Sequence, residues 1–492
     1  MDATTPPFAG GSGGWPPGLA EPFAGGPPHG LAEPWAGRER SLEALEAAVA
    51  DARADHVEIF LASRIGHHTR FAATRIHQPQ TIVECQVMVR AVAGTGSGRV
   101  AVSDLGQAAA AVARATELAR RRDGLPGAAA PYGVAGPAPA PQIAGLWHDS
   151  TAAWDEGARS AQAGRIMDAA RAAGGTAAGV LTTAVTELAV VTSAGQRAHA
   201  AATEAGFALT VRVGQASSYA ADLGRDAARL DVDERAARAV GQAARAGTLV
   251  PVPDGVHDVV FGGLAAGELI GFLPDFGFTA PAVEAGIGLA ATRPGAELAP
   301  AAITVADDAL APAGLPFPFD FEGTPKRRVE LIAAGRVGGA VSDLASAGAT
   351  GGVSTGHAHI ARESSPAPEA ASLIMTPGEA SEDDLIAGVE RGLYIQRLWY
   401  NRLVDAEAGT VVGTSRDGCF LIEDGRLTAG LAGGRFTESV LGALARTDGI
   451  GRRLISQPVP NVWNGCATAP AIRVRGFRFG ARTGPDTGKE TS

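Results

Sequence analysis

Alternation constrains this chain more than any other feature of its sequence. Apolar side chains recur at every second position through Val57, Ile59 and Leu61, and again through Val87, Val89 and Ala91. That is the two-residue period of a strand with one buried face, and two such runs in succession predict an antiparallel pair. Gly and Pro are abundant, at 66 and 31 of 492 residues, while aromatics make up 5%. Such a chain is rich in turns and small side chains, which excludes a helical bundle. The hydrophobic share of 46% and the length are enough for a large core and two or three domains.

Helical periods interrupt the strands. Leu42, Leu45 and Val49 predict a helix with Ser41 as its N-cap, and Asp104 is expected to cap a second helix ending near Arg122. Residues 126–145 read as a Pro/Ala linker. A second unit repeats the plan, with a helix from Ser150 to Ala173, strands through Val180 to Val213 and a helix from Asp233 to Ala246. Beyond Pro300 strands and turns dominate. Asp417-Gly418 and Asp424-Gly425 are expected as two hairpin turns, preceded by a helix from Ser381 to Gly392. The predicted fold class is α+β: two smaller α+β regions at 39–125 and 146–249, followed by a large, mostly antiparallel β domain at 250–492. Residues 1–38, with the unit GLAEP repeated, are expected to form a disordered Gly/Pro-rich tail.

Charge and motifs remove several functions. With 42 Lys and Arg against 52 Asp and Glu, the formal net charge is −10, which disfavours nucleic acid as a partner. No run of roughly 18 apolar residues spans a membrane, and the first residues lack the basic and apolar regions of a secretory signal. Cys85, Cys419 and Cys466 lie far apart, so neither a disulfide framework nor a thiolate zinc cluster is encoded, and a reducing cytoplasm is expected. H-E-x-x-H does not occur. GTGSGRV at Gly94 to Val100 lacks the Lys-Ser/Thr ending of a phosphate loop and reads as a hairpin turn. His357 and His359 stand two apart in a strand-like stretch and could share one ion, yet no third ligand accompanies them; His67 and His68 fall on opposite strand faces.

Several segments together resemble the TldD/PmbA family of peptidases, also described as modulators of DNA gyrase. They include RFAATRIHQ from Arg70, DFEGTPKRR from Asp320, STGHA around Gly356, MTPGEASEDDLIAGVERGLYI from Met375, GTSRDGCFLIEDGRL and RFTESVLGAL, in family order over roughly residues 40 to 480. The resemblance implies two kinds of subunit. The TldD type carries zinc on a helix with H-E-x-x-x-H, where the Glu is general base for a metal-bound water, with a late cysteine as a further ligand. Laying VVFGGLAAGELIGFLPDFGF on that segment puts Gly271, Phe272 and Phe276 at the motif's positions, so the helix Leu264 to Leu273 is expected to offer no ligand and Pro274 to end it. YIQRLWYNRLVD and the Arg435 to Glu438 stretch resemble the TldE/PmbA type.

The resemblance thus implies a non-catalytic TldE/PmbA-like subunit with no catalytic or metal-binding residue of its own. Its expected partners are a TldD-like catalytic chain holding the zinc and a peptide substrate, with Ser354, His357 and His359 as cleft residues. Two rival readings are an independent metal-dependent hydrolase using His357 and His359, and a homodimeric peptide-binding protein without catalysis.

Overall fold

The structure, a computed structural model, describes residues 35–125, 132–360, 366–460 and 462–480. The GLAEP repeats, residues 126–131 of the linker and the last twelve residues lie outside these.

The alternating runs form the longest strands of the N-terminal half. Strands β1 (His56–Ala73) and β2 (Arg75–Ala93) make a hairpin of 18 and 19 residues, joined by β3 (Gly96–Val102) across the turn at Gly94. The second unit supplies β4 (Thr176–Thr192), β5 (Arg197–Val213) and β6 (Ala216–Gly224). Because β1 also pairs with β4, the two expected regions fuse into one antiparallel sheet of order β3-β2-β1-β4-β5-β6.

Side-chain alternation gives this sheet two different faces. Val57, Ile59 and Leu61 pack under helices α1 (Arg38–Ala50) and α2 (Ala108–Arg122), while Phe71, Leu181 and Phe207 pack under the helices Glu156–Ala172 and Val232–Arg245. On the opposite face Phe60, Leu188 and Val190 receive Phe317, Phe319 and Phe321 from the C-terminal part. This aromatic wedge docks the two halves of the molecule.

The C-terminal half holds a six-stranded and a seven-stranded sheet plus a short two-stranded one. Pairing is mostly antiparallel. The exceptions are β7 (Gly255–Phe261) beside Arg391–Asp405, and Ser372–Met375 beside Cys466–Ala469, both parallel. The α+β class stands, and its largest apolar cluster lies between these sheets, centred on residues such as Phe261, Ile303, Leu331 and Phe477.

Local signals failed in informative places. Ser41 lies within the first turn of α1, its hydroxyl bonded to the Gly37 carbonyl, and Gly37 is the N-cap. The helix from Ser150 breaks, and its main part starts at Glu156 under the Asp155 cap. The helix after Ser381 ends at Ala387 although its capping box forms, since Arg391 already belongs to a strand. Asp417-Gly418 makes no hairpin. Both residues have positive φ, at 49° and 86°, but they sit inside the strand Thr410–Glu423 as a bulge opposite Gln396. Asp424-Gly425 does turn the chain, between that strand and Arg426–Gly430. Residues 35–38, expected within the disordered tail, are docked: Arg40 lies over the Trp35 ring and Ala36 N–H donates to Glu187 Oε2 at 2.9 Å.

Candidate functional site

β7 runs through Gly262 into a short apolar helix, Gly263–Ile270, whose one ionisable side chain is Glu268. Two glycines a turn apart let it sit against the strands Ile455–Pro458 and Cys466–Ala469. A Cβ on Gly263 would stand 2.8 Å from the Ala469 carbonyl oxygen, and one on Gly267 would stand 2.8 Å from Gln457 Nε2. Gln457 in turn donates to the Leu264 carbonyl at 2.8 Å, locking the helix to the sheet.

The helix is shorter than expected. Gly271 is its C-cap, Phe272 follows it, and Phe276 closes a separate 3-10 turn, Leu273–Phe276, that Pro274 helps to start. The three positions assigned to the degenerate motif therefore share no helix. The expectation that this segment lacks any ligand-type side chain is corrected by Glu268. Glu268 Oε2 accepts from Asn401 Nδ2 at 3.0 Å; burial raises its carboxyl, and the Asn401 bond and the Arg397 charge offset part of that rise. Arg397 is itself clamped, 3.9 Å over the Tyr219 ring and 4.4 Å over Trp399, and donates to Asp417 Oδ2 at 3.1 Å. The unrecognised bulge is what aims Asp417 at it. A Glu in an otherwise apolar helix was the available signal for this site.

The expected cleft residues are inside the fold. Ser354, His357 and His359 are 3%, 0% and 8% exposed. Ser354 donates to the Ser342 carbonyl at 3.3 Å. His357 Nε2 meets Asp307 Oδ1 at 3.0 Å and its Nδ1 lies 2.9 Å from Thr355 Oγ1, whereas His359 Nε2 meets the Trp463 carbonyl at 3.1 Å. The two imidazoles serve different partners and do not converge. Burial lowers both, His359 to about 4, so each is a neutral ring held by the fold. His67 and His68 bond to Thr81 and Thr182 separately.

One cleft opens where the helix Val232–Arg245 meets the C-terminal half, with a volume of about 200 Å³. Gly263 and Leu264 at the start of the Glu268-bearing helix line it, together with Gln242, Arg238 and Arg452.

Zinc finds no fitting donor set on this helix. Gly267 has no side chain, Glu268 is engaged by Asn401 and Phe272 is a hydrocarbon; among the described residues no three His, Cys, Asp or Glu side chains are grouped to hold a metal. Burial pushes the Cys466 and Cys419 thiols up to about 11 and 12, away from the thiolate a metal needs. Among the described residues no helix is long and apolar enough to cross a membrane.

A helix entered from a parallel-paired strand and packed through glycines onto a mixed sheet, behind a long antiparallel N-terminal sheet, defines a known class. Residues 254–481 match the family model described as the PmbA/TldA metallopeptidase C-terminal domain, which places this C-terminal part of the chain in the PmbA/TldD group of domains. The chain's fold is that of TldE from Thermococcus kodakarensis, with a TM-score of 0.77 and 21% identity over 89% of this chain and 99% of that one. A putative modulator of a DNA gyrase from Thermotoga maritima MSB8 gives 0.74 at 15% identity, over 86% of this chain and 96% of that one. Another putative modulator of DNA gyrase, from Bacteroides thetaiotaomicron VPI-5482, gives 0.67 at 15% identity, over 90% and 98%. No curated protein sequence matches the chain.

Proposed function

We propose that this chain is the non-catalytic, TldE/PmbA-like subunit of a heteromeric zinc peptidase, whose TldD-like partner holds the metal and cuts unfolded or modified peptides. One observation carries the reading. On the helix Gly263–Ile270 and the residues just after it, the spacing of H-E-x-x-x-H is met by Gly267, Glu268 and Phe272, a register that keeps the carboxylate and loses both imidazoles. No His-Glu pair occurs anywhere in the sequence. Without those ligands a carboxylate has no metal-bound water to deprotonate, and Glu268 instead ties the helix to Asn401. Three free cysteines fit a cytoplasmic setting.

The test is turnover of an unstructured peptide by this chain alone, by a TldD-like chain alone and by the mixture. The mixture is expected to cleave, with this chain alone inert, and a Glu268→Gln variant should support cleavage within about twofold of the parent. Metal-dependent cleavage by this chain alone, or a hundredfold loss in the Glu268→Gln mixture, overturns the reading.

A further inference from the structure

Glu322 stands at the junction between the two halves with little to hold its charge. It follows Phe321 in the aromatic wedge and is 2% exposed. Its Oε2 accepts from the Leu344 N–H at 2.9 Å, at the start of the helix Leu344–Thr350, while its Oε1 meets no donor among the described residues. A buried carboxylate oxygen without a donor keeps the cost of leaving water, and a neutral carboxyl in the same place avoids most of it.

The neighbours make ionisation harder still. Glu58 on β1, Asp320 and Asp343 are the charges that bear on Glu322 most strongly, and all three are acids. Each has donors of its own. Asp320 accepts from the N–H groups of Glu322, Thr324 and Ala358 at 3.0, 2.9 and 2.8 Å, and Asp343 accepts from the Ser346 N–H at 2.8 Å as the cap of its helix. Glu58 meets Arg90 Nη2 at 3.3 Å.

Arg90 is the cation that faces Glu322 from β2, and it is committed elsewhere. Besides Glu58 it donates to the Tyr132 and Gly133 carbonyls at 3.1 and 2.7 Å, and it lies 4.0 Å over the Tyr132 ring. The Tyr132 hydroxyl, bonded to Arg99 at 3.1 Å, is pushed up to about 12 and stays neutral. Lys326 acts on Asp320. Glu322 is thus the acid of this group with a single donor and no cation of its own, and burial among three like charges raises its carboxyl well above the ordinary 4.5.

We propose that Glu322 is a proton latch: it joins the two halves as a neutral carboxyl, and loss of its proton loosens the wedge from the N-terminal sheet. The device is separate from the subunit assignment, and either can fail without the other. When the wedge opens, Glu322 reaches water, returns to the ordinary 4.5 and releases its proton at any higher pH. Opening therefore grows as pH rises, by up to about tenfold per unit, until the docked carboxyl ionises as well.

The test is hydrogen exchange of the full chain, read by mass spectrometry from about pH 5.5 to about pH 8.5 and corrected for the intrinsic exchange rate at each pH. Asp320, raised to about 7, adds a dependence of its own to every protein compared, so the readout is the ratio of parent to variant. Relative to Glu322→Gln, which cannot ionise, the parent's protection over residues 317–324 should fall by about tenfold or more across this range. Protection of α2, on the other side of the sheet, should not follow it. Glu58→Gln removes the strongest like charge and leaves Arg90 free to meet Glu322, so it should diminish the fall. Parallel behaviour of the parent and Glu322→Gln, or an undiminished fall in Glu58→Gln, overturns the proposal. Should Gln at position 322 prevent folding, the comparison of the parent with Glu58→Gln decides it alone.

Discussion

His357 and Asp307, fifty residues apart in sequence, share a 3.0 Å hydrogen bond between side chains that have no exposure at all. Burial alone would raise the Asp307 carboxyl, but His357, Lys326 and the Ser372 N–H hold it down at about 2. His357→Ala leaves a buried carboxylate without its hydrogen-bond donor, which costs about 1–3 kcal/mol. Urea denaturation near neutral pH checks this, and a loss under about 1 kcal/mol would contradict the buried pairing. A His357→Ala/His359→Ala double variant in any peptidase assay would therefore report damaged folding rather than a lost substrate contact.

Acidification separates His359 from its surroundings. Burial depresses its pKa from 6.5 to about 4, so the folded state favours the neutral ring; the stability this contributes is full above pH 6.5 and is lost as pH falls towards 4, on the order of 3 kcal/mol in all. Asp320 works in the opposite direction, its carboxyl raised by burial to about 7, so its protonation favours the folded state as pH falls from 7 towards 4. His359→Gln, which keeps a donor for the Trp463 carbonyl, should remove the first slope and leave the second. Chemical denaturation at pH 7 and pH 4.5 is the measurement: relative to the parent, the variant should gain stability at pH 4.5.

The two helix glycines should differ when substituted. At Gly263 a new methyl meets a backbone carbonyl at 2.8 Å, so helix or strand has to move, whereas at Gly267 it meets the end of the Gln457 side chain, which can turn away. Gly263→Ala is expected to cost roughly 1–3 kcal/mol and Gly267→Ala less. Thermal melts rank them; the reverse order would show that the helix is pinned through Gln457 instead.

Truncation locates where the folded chain begins. Removing residues 1–34 spares the contacts of Trp35 and Ala36, while removing 1–38 takes the Ala36 N–H from the fully buried Glu187 and the ring from Arg40. The longer deletion should cost about 1–3 kcal/mol more than the shorter one. Equal melting temperatures would place these contacts outside the cooperative fold.

Much of the scaffold was legible because it rests on local rules. The alternation around Val57 and Val87 named the central hairpin, Asp104 and Ser381 did cap their helical turns, and family-like segments such as DFEGTPKRR marked the C-terminal domain. Asp417-Gly418 and Asp424-Gly425 show where such rules end. Both carry the left-handed backbone a turn requires, but the first is drawn into a continuous strand by pairing on both sides and the second is not.

What sequence by itself determined is the set of element types and the absence of the paired imidazoles that a zinc helix needs. The tertiary structure alone decided that β1 joins two units into one sheet, that His357 and His359 face inward to separate partners, and that Gln242 and the start of the Gly263 helix share a cleft. The reason is physical: period and propensity act within a few residues, whereas burial and hydrogen-bond satisfaction are settled between segments, here fifty residues apart at Asp307 and His357 and 133 at Glu268 and Asn401.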